Sequence, residues 1–369
     1  MVDSARAFPV SIFRAAGFSP RGFAKAGGHS ATERPEHNTE FCFSIENDSK
    51  HAKASHGLEP APRSAISTAS PGGLPESYRN PTGCPPEIRP LNDLLVVAGF
   101  EDLLRANRLD TLDRLLACTE GESLAKPGLH PWRERIRLTL QDGGRLKVVY
   151  LKRFSNPPAS ARRQMRRSNR AVQSLAGLEW TWLLQLAQDG IACARPIAFG
   201  QEVSNGRERR STILMGAVPG RSLEHWTSAW TAAEHDQVRA LLIPSAKLIA
   251  RFHARGYVHR DLYLSHVFHD PDSPPDESLH LIDVQRVFRP RHFRRRWIVK
   301  DLAALNFSTP RGLVTRHYRL RWLRCYLGVS RLDASAKRLA YRIIGKTLSI
   351  GRHDRARSAR LNKSGAESA

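Results

Sequence analysis

The sequence predicts an α+β domain of two lobes, a small β-rich lobe followed by a mainly helical one. Three observations support this class. Residues Arg135–Leu140 alternate with period two, Asp142-Gly-Gly144 forms a turn, and a second apolar strand returns to Lys152. Later in the chain, residues 234–255 carry apolar side chains at helical spacing, and residues 316–327 are predicted as a basic helix that contains aromatic residues. The hydrophobic content of 41% allows a sizeable core.

Composition divides the chain into three parts. Residues 1–87 are rich in Ser, Ala, Gly, Pro and His and keep no hydrophobic period, which predicts a disordered extension. A basic targeting arm is the functional alternative for this segment. We expect the folded domain at 88–350, with the small lobe at about 88–215 and the large lobe at about 216–350. Residues 351–369 form a basic tail.

The net charge of +23 favours anionic partners, which include phosphates, nucleic acid and an anionic membrane surface. No nucleic-acid-binding motif is recognisable, so we expect no specific nucleic-acid partner. No apolar run is long enough for a membrane span and no secretory signal is evident, which predicts a cytoplasmic protein. The five cysteines form no C-x-x-C pair, which indicates a reducing compartment without structural zinc: Cys42, Cys84, Cys118, Cys193 and Cys325.

Several elements of the small lobe follow from the sequence. Apolar spacing predicts short amphipathic helices within Asn92–Cys118 and, after a basic linker at 162–167, a helix from about 170 to 188. Glu179 lies on the apolar stripe of that helix. Because a carboxylate on a buried face needs a cation, Lys152 at the end of the preceding strand is the expected partner. The alternative places Glu179 at the solvated edge of the stripe.

One stretch of the sequence contains the candidate catalytic residues. His259-Arg260-Asp261 is followed five residues later by His266, and a hydrophobic run then ends at Asp283. This is the order of a protein-kinase catalytic loop and its metal-binding Asp. We therefore expect His259, Arg260 and Asp261 to form the catalytic set, with Asp261 accepting the hydroxyl proton or orienting the acceptor. Asp283 would hold the metal that bridges the nucleotide phosphates.

His266 stands where protein kinases carry a metal-binding Asn. Mg²⁺ prefers oxygen ligands, whereas imidazole suits Mn²⁺ or Zn²⁺ better. Three roles stay open for His266: a shifted metal preference, a direct phosphate contact, or packing. The whole stretch could instead be a surface loop, or a zinc site made by His266 and His269.

The segments expected to bind the nucleotide depart from the protein-kinase pattern. No G-x-G-x-x-G precedes the strand that ends at Lys152, so Lys126, Arg133 or backbone amides would have to cover the phosphates. Two strands, Pro196–Phe199 and Thr212–Met215, lead to the flexible connection 216–220. In a kinase this connection is the hinge that meets adenine, which points to Met215 and Ala217 as nucleotide-binding positions.

The large lobe begins with the helix at 234–255, which Pro244 should kink or divide. We expect a strand at Leu279–Val287 and a helix starting near Lys300, with Asp301 in its first turn bracing the catalytic loop. The basic run at 288–300 is either a solvated surface or a site for an acidic acceptor or membrane headgroups.

These motifs together resemble the lipopolysaccharide core heptose kinases of the WaaP/InaA group. The resemblance rests on three stretches and covers roughly residues 90–350: His259–Phe268, Ile282–Arg286 and Arg296–Ser308. It implies a protein-kinase-like fold and transfer of phosphate from ATP, with Mg²⁺ or Mn²⁺, to a sugar hydroxyl of the lipopolysaccharide core. It also implies a place at the cytoplasmic face of the inner membrane, and some members of the family associate with acyl carrier protein.

By match to the family motifs, Asp261 takes the acid/base position, Lys152 and Glu179 form the nucleotide pair, and Asp283 with His266 forms the metal region. The N-terminal extension lies outside the family pattern, and the small lobe matches it less closely. Two other readings stay open. One is a kinase with a different small-molecule or protein acceptor, and the other is a non-catalytic kinase-like scaffold that uses its basic surface.

Overall fold

The computed structural model describes residues 86–124, 130–231 and 235–366. The predicted extension up to residue 85 therefore lies outside the described residues. So do Lys126 and the last three residues of the predicted tail. Within these ranges the chain forms a β-rich small lobe followed by a mainly helical large lobe, so the predicted α+β class is confirmed.

The small lobe is built on a seven-stranded antiparallel sheet with the order β1-β2-β6-β7-β5-β4-β3. Its strands are β1 (Ile88–Leu91), β2 (Leu94–Val97), β3 (Glu122–Ser123), β4 (Arg133–Asp142), β5 (Arg145–Ser155), β6 (Pro196–Ser204) and β7 (Arg207–Gly216). The predicted hairpin is the β4–β5 pair. Its register places Lys152 between Arg135 on β4 and Ile213 on β7. Lys152 is therefore held on a strand with neighbours on both sides.

Four helices accompany this sheet: α1 (Glu101–Ala106), α2 (Leu112–Ala117), α3 (Ala159–Ser168) and α4 (Leu175–Gln188). Helix α4 packs against β5, β6 and β7. The Ser174 hydroxyl caps its start by accepting a hydrogen bond from the Gly177 amide at 3.0 Å. The buried Glu208 carboxylate accepts from the Leu175 amide at 3.0 Å, and burial raises the pKa of Glu208. These two side chains fix the residue at which α4 begins, and thereby the position of Glu179 along the helix.

The large lobe contains a small sheet and five helices within the described residues. The strands are β8 (Arg221–Ser222), β9 (Val267–His269) and β10 (Leu279–Leu281), and the helices are α5 (Leu223–Ala229), α6 (His235–Ala254), α7 (Arg294–Ser308), α8 (Arg316–Leu327) and α9 (Ala334–Ala366). Helix α6 packs on α8, and α7 packs on α9. One apolar core extends from the strands of the small lobe to α7 and α9.

The structure corrects four local predictions. Leu94–Val97 is a strand rather than part of a helix, because pairing with β1 and β6 satisfies its backbone. The predicted basic linker at 162–167 lies within α3, where Met165 is buried. The strand predicted at Leu279–Val287 ends at Leu281. Pro244 neither divides nor ends α6, which runs unbroken through it.

Two helix boundaries in the large lobe also differ from the prediction. Helix α7 starts at Arg294 after a left-handed Phe293, so Asp301 lies in its middle rather than in its first turn. Helix α9 continues through Gly351 to Ala366, where the sequence predicts a separate tail. A single glycine costs a helix only about 1 kcal/mol relative to alanine, and no proline follows it to stop the helix. No helix in the described ranges is both long and apolar enough to cross a bilayer.

Candidate functional site

Lys152 is the centre of the site, at the inner end of β5. Its ammonium nitrogen lies 2.6 Å from Glu179 Oε1 on α4 and 3.2 Å from Asp283 Oδ1. The side chains of Lys152 and Glu179 are 9% and 1% exposed. Burial disfavours the charged form of Lys152, but the attraction of Glu179 and Asp283 outweighs it and raises the pKa of Lys152. The predicted ion pair is therefore present, and Lys152 is a cation fixed between two carboxylates.

Asp283 follows β10 and faces a cluster of cations. Lys152 lowers the pKa of the Asp283 carboxyl despite its partial burial, and His266 and Arg133 add to the effect. Arg133 Nη2 lies 3.9 Å from Asp283 Oδ1, and His266 Nε2 lies 3.9 Å from Asp283 Oδ2. The Asp283 side chain is 29% exposed, so this carboxylate is ionised and open to a ligand.

Hydrogen bonds assign the tautomers of the two histidines. His266 Nδ1 lies 2.7 Å from the Asp261 carbonyl oxygen, so Nδ1 carries the proton and donates it. The other ring nitrogen of His266, Nε2, lies on the side of Asp283. His259 Nε2 donates in the same way to the Ile282 carbonyl oxygen at 3.0 Å, and burial lowers the pKa of His259. His259 is thus a neutral link between the catalytic loop and Asp283, rather than a group that meets substrate.

Asp261 is held by a residue that the sequence analysis gave no role. Arg286 Nη1 lies 2.8 Å from Oδ1 and 2.7 Å from Oδ2 of the Asp261 carboxylate. The Arg286 Nε is buried and has no partner among the described residues. Arg286 lies three residues past Asp283, on the short 3₁₀ turn Val284–Arg286. The spacing alone was a weak signal, because arginine is frequent in this chain.

Two side chains of α7 brace the catalytic loop from below. The Asp301 carboxylate accepts hydrogen bonds from the backbone amides of His259 at 2.6 Å and Arg260 at 2.7 Å. Ser308 Oγ, two helical turns later on the same face, accepts from the Leu264 amide at 2.9 Å. The predicted role of Asp301 is therefore observed, whereas that of Ser308 was missed. Because Asp301 and Ser308 both lie on α7, these loop amides are hydrogen-bonded within the protein and do not need water as a partner.

Two residues of the site adopt left-handed backbone conformations that side chains rarely favour. Arg260 has φ 71° and Asp283 has φ 54°. Such conformations cost on the order of 1–3 kcal/mol each and persist only where the surroundings enforce them. The hydrogen bond from the Arg260 amide to Asp301 holds Arg260 in its left-handed conformation. The Arg260 guanidinium lies over the Phe288 and Trp297 rings, with centroid distances of 5.8 and 5.6 Å, so it packs beside the loop away from Asp283.

The predicted hinge residues lie at the end of β7 and just beyond it. Met215 is buried and pairs with Tyr150 and Pro196 across the sheet. The Ala217 amide donates to the Val148 carbonyl oxygen at 3.1 Å, so this N–H is already used within the fold. Met215 and Ala217 therefore lie where β7 ends and the chain continues toward the large lobe.

Together the structure brings Lys152, Glu179, Asp283 and His266 into one cluster, with Asp261 connected to it through the His266 bond. Arg133, at the start of β4, reaches the same cluster, as the missing Gly-rich loop required. No group of three or more His, Cys, Asp or Glu side chains that could hold a metal occurs among the described residues. A metal here would thus need oxygens from its substrate as well as protein ligands.

The protein-kinase-like class of folds is defined by a Lys on a strand paired with a Glu on a helix, a His-Arg-Asp loop, and a downstream Asp between two lobes. A solved structure, "WaaP in complex with acyl carrier protein", shares this fold with a TM-score of 0.51 and 24% identity. The match covers 70% of this chain and 97% of that one.

Sequence comparison identifies the family. The model of the "Lipopolysaccharide kinase (Kdo/WaaP) family" matches residues 147–326. Lipopolysaccharide core heptose(I) kinase WaaP of Pseudomonas aeruginosa is 32% identical over 154 residues, which are 40% of this chain and 58% of that protein. The protein of the same name from Escherichia coli is 30% identical over 192 residues, which are 47% of this chain and 72% of that protein. The chain belongs to the lipopolysaccharide kinase (Kdo/WaaP) family.

Proposed function

We propose that this chain transfers a phosphoryl group from ATP to a hydroxyl of a sugar of the lipopolysaccharide inner core, and that this sugar is a heptose. The single observation that carries the proposal is the Lys152 cluster, in which one buried cation joins Glu179 to Asp283. Phosphoryl transfer needs positioning and charge neutralisation more than covalent chemistry. The relatives that share the catalytic sequence are named heptose(I) kinases, which supports this acceptor.

Lys152 and Arg133 would neutralise the nucleotide phosphates. Both cations face Asp283 at present, at 3.2 and 3.9 Å, and neither is engaged on all of its donors. Glu179 sets the position of Lys152 by holding its ammonium group at 2.6 Å. Arg133 stands at the start of β4, next to the segment where a Gly-rich loop lies in other kinases, so it supplies the phosphate contact that this segment lacks.

Asp283 and His266 would hold the metal. The donor set fits a divalent cation: an ionised, partly open carboxylate beside an imidazole whose Nδ1 proton is held by a backbone carbonyl. Two protein ligands completed by phosphate oxygens suit Mg²⁺, and the imidazole also admits Mn²⁺. When bound, such a metal offsets phosphate charge and aligns the phosphates. The tautomer of His266 and the charge of Asp283 prepare this site before any ligand enters.

Asp261 would orient the acceptor hydroxyl and accept its proton. Arg286 donates to both carboxylate oxygens, which fixes the orientation of the carboxylate. Each oxygen keeps a further lone pair for the acceptor. Arg260 and His259 act indirectly here, since their amides bind Asp301 and thereby set the direction of Asp261.

The adenine would lie between the lobes at the connection that follows β7. Met215 would bound this space, and Ala217 would offer its carbonyl oxygen, because its amide already donates to Val148. We also place the protein at the inner face of the cytoplasmic membrane, because anionic lipids there would attract a chain with a net charge of +23. Acyl carrier protein is a candidate partner, because the structural relative was solved with one.

Transfer of label from γ-labelled ATP to purified lipopolysaccharide core, stripped of its phosphates, tests the proposal with the full chain. Asp261→Asn and Asp283→Asn should each abolish labelling, and only Asp283→Asn should abolish the metal-dependent thermal shift caused by ATP. Arg291→Gln, an exposed change in the nearby basic run, is the matched control. ATP binding without labelled core would point to another acceptor. Absence of both would favour the scaffold reading.

A further inference from the structure

A cavity of about 610 Å³ lies between α7 and α9, outside the nucleotide site. Seven residues line it, and five of these are cations: Arg295, Arg296, Lys300, Arg342 and Lys346. Trp297 and Val299 complete the lining, which contains no acidic residue. The volume falls within the roughly 300–1,000 Å³ of small-molecule sites. Arginines in such numbers suit planar carboxylate and phosphate groups, which they bind through paired hydrogen bonds.

The charge in this cavity is not balanced within the fold. Among the described residues, no carboxylate lies within ion-pair distance of any of the five lining cations. Lys300 is partly buried, and burial together with the neighbouring Arg286 and Arg260 lowers the pKa of its ammonium group. Like charges gathered around one concave space favour an anion from outside.

The cavity adjoins the catalytic loop through one aromatic ring. The Trp297 ring lies 5.6 Å from the Arg260 guanidinium and 5.8 Å from the Lys300 ammonium group. The charge of Asp261 acts on Lys300 strongly enough to oppose the lowering of its pKa. A ligand in the cavity would therefore lie close to Arg260, which precedes Asp261 in the catalytic loop.

We propose that this cavity binds an anionic group, a carboxylate or phosphate, carried by the acceptor saccharide next to the hydroxyl that receives the phosphoryl group. The inference rests on the proposed function and specifies the acceptor as an acidic oligosaccharide. Concavity and the Trp297 ring favour a sugar over a membrane headgroup, because a flat bilayer surface cannot enter the space between two packed helices. Trp297 contributes apolar surface to the lining, while the five cations would bind the acidic substituent of the sugar.

Calorimetric titration with lipid-free core oligosaccharide tests the site without requiring turnover. The double substitution Arg342→Gln/Lys346→Gln removes two lining cations on α9, and we expect the Kd to rise at least tenfold, since charge-assisted bonds contribute roughly 1.5–3 kcal/mol each. Lys337→Gln/Arg338→Gln is the matched control. It changes the net charge equally on the same helix at two exposed positions outside the cavity, and it should change Kd less than twofold.

Three results would overturn the proposal. The first is an equal loss of affinity in the control, which would reflect long-range charge alone. The second is wild-type affinity that is unchanged when the phosphates and carboxyl groups of the oligosaccharide are removed or reduced. The third is loss of binding to phosphatidylglycerol vesicles in the cavity variant but unchanged oligosaccharide binding, which would assign the cavity to lipid headgroups. If the titration gives the expected result but no phosphoryl transfer is observed, the proposed reaction is refuted and the binding site is not.

Discussion

Among the described residues, Lys152 pairs with two carboxylates, whereas Glu179 pairs with a single cation, and this difference predicts unequal stability losses. Lys152→Met leaves Glu179, whose side chain is 1% exposed, without a cation. Breaking a buried pair in this way costs about 3–5 kcal/mol. Glu179→Gln leaves Lys152 bonded to Asp283 at 3.2 Å, and Asp283 is 29% exposed, so we expect a loss of only about 1–2 kcal/mol. The difference of about 2 kcal/mol is roughly a 30-fold change in the folding equilibrium.

Urea unfolding of the full chain, followed by tryptophan fluorescence, measures both losses. The double variant Lys152→Met/Glu179→Gln should lose less than the sum of the single variants, with a coupling energy of at least about 1 kcal/mol. The pKa of Lys152 is raised by folding, so its contribution is fully present below the ordinary lysine pKa of about 10.4. It declines only as the pH rises through the higher folded value. The differences should therefore be constant between about pH 6 and pH 9.

The reasoning would be refuted if Glu179→Gln cost as much stability as Lys152→Met. It would also be refuted if the double variant lost the full sum of the two single losses, because the pair would then contribute no mutual attraction. A matched control is Lys247→Met, since Lys247 pairs with Asp276 at 3.0 Å on the surface. The two side chains are 50% and 68% exposed, and pairs of that kind contribute only about 0–1 kcal/mol.

Three further predictions concern the rest of the site and its surroundings. Arg286→Gln should lower kcat for phosphoryl transfer about 10–150-fold with little change in ATP binding, because it removes a charge-assisted contact to Asp261. Asp301→Asn should lower the free energy of unfolding by about 1–3 kcal/mol in urea titrations, because one amide oxygen cannot serve the two backbone amides that the carboxylate binds. Cys193 should resist iodoacetamide at pH 8, because burial raises the pKa of its thiol to about 12 and leaves about 10⁻⁴ of it as thiolate.

The predictions for Arg286 and Cys193 each have a control, and all three have an outcome that would contradict them. Arg291→Gln should leave kcat unchanged, and an Arg286→Gln enzyme with normal kcat would remove Arg286 from the site. Unaltered stability of the Asp301 variant would mean that the catalytic loop holds its shape alone. Peptide mass spectrometry should find Cys118 and Cys325 alkylated before Cys193, since burial raises the thiol pKa of Cys193. Equal rates at all three thiols would contradict the packing around Cys193.

Local patterns predicted much of the small-lobe sheet, whereas the roles of the candidate site residues stay predictions. The β4–β5 hairpin followed from alternation and a Gly-Gly turn, and the pairing of Lys152 with Glu179 followed from the cost of burying a carboxylate alone. Helix ends were predicted less well. Helix α7 begins at Arg294 because arginines are good helix formers and the chain can turn at Phe293, a conformation that side-chain composition does not indicate.

The sequence by itself determined which residues are candidates for the chemistry, because motif spacing fixes the order of Asp261, His266 and Asp283 along the chain. Only the tertiary structure decided which neighbours control them. Arg286 reaches Asp261 and Ser308 reaches the catalytic loop only once a 3₁₀ turn and α7 are packed beneath it. The cavity between α7 and α9 likewise unites cations about 50 residues apart. Such contacts depend on the angle and separation of packed elements, which are set by the whole core and not by any local pattern.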